Sequence, residues 1–262
     1  MSHDATTHEG QHEQSAKTPP TAGRRALGML GELVIIVVGA LLISAVLRAF
    51  VGQMFIIPSG SMENTLQVND RVVVSKIGSF ERGDVVVFED TQGWITTRPP
   101  ERSTVGKAAE TIGVLPSTSS NHLIKRVIGL PGDKVSCCDD HGRMMVNGQP
   151  IDESSYLFTD ADGQVPPSNF DFTVVVPAGR IFVMGDHRNA SGDSRCHLTD
   201  GTPQGLSAFV PEDAVVGRAL AVAAPISRLS LLQNPGVFDP VVDPTAAPPE
   251  LPSITPKDVV CS

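Results

Sequence analysis

The chain has 262 residues and a mass of 27.7 kDa, which suits one or two domains, and 40% of its residues are hydrophobic, ample for a core. Its formal net charge of −9 and pI near 5.2 argue against a phosphate-binding surface, and so against nucleic acid as a partner. The glycines around 129–132 lack the Gly-Lys-Ser/Thr ending of a phosphate loop, so no nucleotide cofactor is indicated.

Residues 1–24 carry His3, His8 and His12 among Ser, Thr, Gln and Pro, with too little apolar material to fold. They read as a solvated, disordered tail. Residues 25–51 read as a transmembrane anchor. Leu33–Leu47 is apolar but for Ser44 and about 22 Å long as a helix, reaching roughly 30 Å with its flanks. Glu32 and Arg48 sit near its ends, where long side chains reach headgroups. A cleavable secretory signal is the competing reading, but the long polar segment in front and the lack of a small-x-small site favour an uncleaved anchor. Lys17, Arg24 and Arg25 place the N-terminus in the cytoplasm and residues 52–232 outside it.

Just beyond the anchor, IPSGSMENTL (57–66) sets Ser61 in a Pro/Ser/Gly turn. Short β-branched runs follow at 71–77, 84–90, 134–138, 143–151, 172–179 and 180–186, each bounded by turn residues, which predicts a mainly β, antiparallel domain. Asn147-Gly148 marks a two-residue hairpin, since both residues tolerate positive φ. Residues 92–122 read as an insertion around a short helix at 103–114. Arg218, Pro225 and Arg228 turn 214–232 from a second span into a final strand, and seven prolines between Pro235 and Pro256 make 233–262 an extended Pro-rich tail.

The four cysteines are Cys137, Cys138, Cys196 and Cys261. Adjacent strand residues point to opposite faces, so Cys137 and Cys138 do not easily bridge each other; a bridge from either one to another cysteine fits the sequence, and the pairing stays open. His187, Asp193, Cys196 and His197 match no common closed zinc site, so no metal is expected.

A serine hydroxyl needs a base to become a nucleophile. One candidate set is Ser61, His187 and Asp193, although the last two share one short loop. The other base is Lys125, flanked by Leu123, Ile124, Val127 and Ile128. An ordinary lysine is neutral about once in a few thousand at pH 7, and burial shifts that balance toward the neutral amine.

Pro58-Ser59-Gly60-Ser61-Met62 with Thr65-Leu66, Gly83-Asp84, Lys125–Gly129 with Pro131–Asp133, and Gly185–Arg188 with Ser191, Asp193, Ser194 and Arg195 occur in order. Over roughly 27–225 the chain closely resembles the bacterial type I signal peptidases, membrane-bound Ser/Lys proteases, in a style similar to members from high-GC Gram-positive bacteria. The resemblance implies a signal-peptidase-type β-sheet catalytic domain on one N-terminal transmembrane helix. Ser61 would be nucleophile and Lys125 general base, with the Ser59 hydroxyl and Ser61 N–H as the oxyanion hole. Ser191 would hydrogen-bond and orient the lysine, while Asp193 and Arg195 would hold their loop together.

The resemblance also places Phe55, Ile57, Pro58, Met62, Leu66, Leu123 and Ile124 near pockets for small residues before the cut, Ala-x-Ala in effect. Its expected partners are exported preproteins, membrane lipid and, by proximity, the secretion translocon; it implies no cofactor. Two positions depart from the family pattern: Asn64, where proline is frequent, and His187, where asparagine is commoner. Asn64 is expected to loosen the nucleophile turn. The rival readings are a self-cleaving Ser/Lys peptidase and a noncatalytic, membrane-tethered β-domain that binds secreted proteins.

Overall fold

The computed structural model describes residues 22–50, 52–96, 103, 104, 106, 121–200 and 203–255. The histidines of the N-terminal segment, most of the 92–122 insertion and Cys261 lie outside the described residues. Of the helix expected at 103–114, Thr104 and Gly106 are described and helical.

The chain separates into two units between Ile43 and Ser44. Most of α1 (Ala22–Phe50) belongs to the first. Its apolar side chains from Leu33 to Ile43 are exposed around the helix, with no polar stripe to set against a core. Side chains of α1 are described for Met29 and residues 31–45 only, and among the described residues no helix is long and apolar enough to cross a membrane.

Every strand pairing in the second unit is antiparallel. Its strands are β1 (Gly52–Ile56), β2 (Arg71–Ser75), β3 (Val85–Glu89), β4 (His122–Gly129), β5 (Lys134–Cys137), β6 (Met145–Val146) and β7 (Gln149–Pro150). They continue through β8 (Thr159–Asp160), β9 (Gly163–Gln164), β10 (Phe172–Val175), β11 (Arg180–Met184) and β12 (Val210–Pro211). The last are β13 (Val215–Ala224), β14 (Ser230–Leu231) and β15 (Ser253–Thr255). One sheet runs β1-β2-β13-β3-β4-β11-β12, with β14 against β13, and a second runs β15-β10-β5-β6-β7.

Alternation along β3 sends Val85 and Val87 into one apolar cluster with Phe55, Met62, Leu66 and Ile124, and Val86 and Phe88 into another with Val127, Ile181 and Val183. The large sheet is thus packed on both faces, and β4 runs through its interior. The β6–β7 turn has φ 50° at Asn147 and 81° at Gly148, both in the left-handed region that a tight primed turn requires.

Two findings differ from the sequence-based expectations. Residues 233–255 are extended but packed: Phe238 and Val241 are buried in the cluster of Phe172 and Phe182, and β15 pairs with β10. Arg82 bridges Asp133 and Asp243, tying this segment down. Prolines forbid helix here, yet an extended backbone still presents apolar side chains to a core. Cys137 and Cys138 are joined to each other, their Cα atoms 3.0 Å apart at the end of β5, where strand alternation no longer holds them to opposite faces. Cys196 is also disulfide-bonded.

If the Pro-rich segment is part of the core, Phe238→Ala will cost about 3 kcal/mol in urea unfolding, the range for a buried phenylalanine. An unchanged midpoint would mean that the segment contributes nothing to stability.

Candidate active site

Ser61 lies in the connection from β1 to β2. Ile57 N–H donates to Asp70 O at 2.9 Å and Asn69 N–H to Ile57 O at 2.8 Å, closing the base of that loop. Inside it, Glu63 N–H donates to Gly60 O at 2.9 Å and Leu66 N–H to Met62 O at 2.7 Å, a single helical turn. Met62 and Leu66, four residues apart and fully buried, plug the turn into the core. Both brace the loop from the core, and the cleft beside Ser61 is lined by other residues.

Asn64 adopts φ 85°, a left-handed conformation that asparagine tolerates and proline cannot enter. Its Nδ2 donates to Leu157 O at 3.3 Å, so it ties the turn to a neighbouring segment rather than loosening it.

Lys125 sits in β4 between β3 and β11, 3% exposed, and its Nζ donates to Ser61 Oγ at 2.6 Å. Burial is the main influence on it and disfavours the ammonium. Asp193 and Asp186 pull the other way and Arg195 adds to the depression, leaving Lys125 lowered from 10.5 to about 8. About one lysine in ten is then neutral at pH 7, against about one in a few thousand for the ordinary value. Ser59 is exposed, and its hydroxyl donates to Ser61 Oγ at 3.4 Å.

The loop after β11 closes on this pair. Asp193 and Arg195 form a doubly bonded ion pair, Nε–Oδ1 and Nη2–Oδ2 both 2.9 Å, with side chains 0% and 3% exposed. Burial pushes the Asp193 carboxyl up. The Arg195 charge and hydrogen bonds, the Gly185 N–H and the nearby Ser191 hydroxyl outweigh it and hold the group below the usual carboxylate range. Ser191 Oγ is buried beside Asp193 and makes no hydrogen bond to Lys125 here.

The Ser/His/Asp alternative does not assemble. His187 Nδ1 pairs with Glu63 Oε2 at 3.0 Å and its ring stacks on Phe158, while Asp193 is committed to Arg195.

Around the pair lies a buried ionic framework of which only parts were anticipated. Arg126 grips Asp186 through Nε and Nη2 at 2.8 and 2.6 Å, donates to Gly83 O, and lies 4.2 Å over the Tyr156 ring. Arg188 pairs with Glu153, both 1% exposed, and Tyr156 donates to the same carboxylate at 2.6 Å. Glu153 and Tyr156 fall in a stretch with no strand pattern and outside the motifs read from the sequence, which is why they carry no signal there.

Gly185, named in the sequence only as part of a motif, has a steric role here. A Cβ there would collide with Ser191 Oγ and the Ser61 carbonyl oxygen. Only a glycine lets the β11 loop touch the nucleophile turn.

Of the pocket residues, Phe55, Ile57, Pro58, Leu123 and Ile124 do line a cleft with Ser59, Ser61 and Lys125. Its free volume is about 20 Å³, room for little more than one water-sized group.

A serine hydroxyl hydrogen-bonded to a buried, partly neutral lysine is the equipment of a serine hydrolase that uses an amine as base. A family model described as signal peptidase, peptidase S26 matches residues 30–224, well over half of the sequence. The chain belongs to this family and is a serine endopeptidase. It is 35% identical over 250 residues to the signal peptidase I of Mycobacterium tuberculosis (strain CDC 1551 / Oshkosh), covering 86% of this chain and 82% of that protein. To the signal peptidase I of Leptolyngbya laminosa it is 33% identical over 239 residues, 88% of this chain and 96% of the relative. With that of Pseudomonas fluorescens it shares 33% over 233 residues, 74% of this chain and 73% of the relative.

Gly185→Ala tests the close approach. The variant should fold, as judged by circular dichroism, yet lose about 100-fold in kcat/KM, the scale of a misplacement of about 1 Å. A loss under threefold would show that the turn and loop are not in register with the chemistry.

Proposed function

We propose that the protein is a membrane-anchored signal peptidase that removes N-terminal signal peptides from exported preproteins, cutting after small-x-small sites such as Ala-x-Ala. The observation that carries this reading is the 2.6 Å contact between Ser61 Oγ and a buried Lys125 held near 8.

Neutral Lys125 accepts the Ser61 proton as Oγ attacks the carbonyl carbon before the cut. The carbonyl electrons move to oxygen, and the Ser61 N–H and Ser59 hydroxyl stabilise the oxyanion; such fixed donors contribute several kcal/mol. Collapse expels the amine of the mature protein, which takes the proton from Lys125. Water, deprotonated by Lys125, then attacks the acyl ester; the C–O bond to Ser61 breaks, its oxygen takes the proton back from Lys125, and the signal peptide leaves as its carboxylic acid, which ionises in water. Asp193 and Arg195 hold the loop that packs against the lysine, with Ser191 beside them.

The narrow cleft lined by Phe55, Ile57, Pro58, Leu123 and Ile124 supports selection of alanine, since a methyl fits and a larger side chain clashes. The apolar run Leu33–Leu47, exposed on all sides of α1 where described, supports a single-pass anchor with residues 1–24 cytoplasmic and the peptidase domain, 52–232, outside. That arrangement sets Ser61 ten residues past the anchor, close to lipid and to where the translocon delivers its cargo.

With detergent-solubilised protein and a preprotein carrying an Ala-x-Ala site, Ser61→Ala and Lys125→Ala should each lower cleavage by at least about 1,000-fold while keeping the fold. Near-normal turnover by either variant removes that residue from the mechanism. The active form is the neutral amine, and the folded Lys125 lies below its ordinary value. Wild-type kcat/KM should therefore rise with unit slope as pH climbs toward about 8, then level off. An acid limb centred below pH 6 would point to a carboxylate or imidazole base.

A further inference from the structure

We infer that Glu63 and His187 act together as a positioning pair that aims the Ser61 backbone N–H at the developing oxyanion, an inference that rests on the proposed peptidase function. The oxyanion donor belongs to the Gly60–Ser61 peptide, whose C=O and N–H point in opposite directions in one rigid plane. Glu63 N–H holds that C=O at 2.9 Å, so the placement of Glu63 sets the direction of the Ser61 N–H. The Glu63 side chain folds back over Gly60: a Cβ at position 60 would lie 2.8 Å from Glu63 Cδ and 2.9 Å from Oε1. The glycine is thus the space that the carboxylate occupies.

His187 fixes both ends of this turn. Its backbone N–H donates to Ser61 O at 3.1 Å, and its Nδ1 meets Glu63 Oε2 at 3.0 Å. A carboxylate oxygen only accepts, so Nδ1 carries the proton. The imidazole is itself immobilised, stacked on Phe158 with ring centroids 3.8 Å apart at 24°. Phe158 N–H donates to Asp186 O at 3.1 Å, and Asn64 binds the adjacent Leu157 O, so the support for the ring returns to the same turn. Neither side chain bonds Ser61 Oγ or Lys125, so both act through the backbone.

The test is steady-state cleavage of an Ala-x-Ala preprotein by wild type, Glu63→Ala, His187→Ala and the double variant, with fold checked by circular dichroism. Each single variant should lower kcat about tenfold with KM within twofold, and the double variant should fall no further than either single one. Glu63→Gln keeps an acceptor oxygen and His187→Asn keeps a donor near Nδ1, so both should recover most of the lost kcat. Unchanged kcat in the alanine variants, losses confined to KM, multiplicative losses in the double variant, or no recovery in the amide variants would overturn the pairing while leaving the peptidase reading intact. Absence of cleavage by wild type would instead remove the proposed function, and this inference with it.

Discussion

The interaction on which the rest depends is the burial of a lysine that has no carboxylate of its own. Among the described ion pairs, Asp193 is taken by Arg195, Asp186 by Arg126 and Glu153 by Arg188, and Lys125 meets only the Ser61 hydroxyl. A carboxylate paired directly with the lysine would favour its ammonium and leave no base. Arginine is suited to the competing role, because its charge persists at any relevant pH and its planar fork engages a carboxylate through two bonds. The three arginines therefore do more than satisfy buried acids: they keep those acids from Lys125.

This framework also explains how loops far apart in sequence are held to the tolerance that catalysis needs. The nucleophile turn, β4 and the loop after β11 are joined by Arg126–Asp186, by the His187 N–H on Ser61 O, and by the bare Cα of Gly185. Buried pairs contribute little net stability over apolar replacements, but losing one partner leaves an uncompensated charge at a cost of about 3–5 kcal/mol. Such an arrangement favours one geometry strongly over its neighbours, which is the property an oxyanion hole and a general base require.

The local pieces were legible in the chain. β-branched runs between turn residues marked the strands, Asn147-Gly148 marked its hairpin, and the serine turn and apolar lysine strand stood out by chemistry. Other features depended on distant partners. Met62 and Leu66 sit beside the proposed nucleophile in sequence, yet their side chains face the core. The Pro-rich segment is extended, as proline requires, but whether an extended segment is loose or packed depends on the apolar groove it meets. Glu153 and Tyr156 carry no signal until Arg188 arrives from the loop after β11 and Arg126 from β4, and Ser191 lies near Asp193 without bonding Lys125.

What the sequence by itself determined is the antiparallel β class, the run of strands and turns, and a reactive serine with a lysine as one of two candidate bases. Periodicity and turn chemistry are local, and residues within one turn already carry them. Only the tertiary structure shows which of the two groups reaches Ser61 Oγ and how much water surrounds it. Folding brings Lys125 to 2.6 Å and buries it, while it turns His187 toward Glu63. Desolvation is a property of everything packed around a group, so no window of sequence contains it.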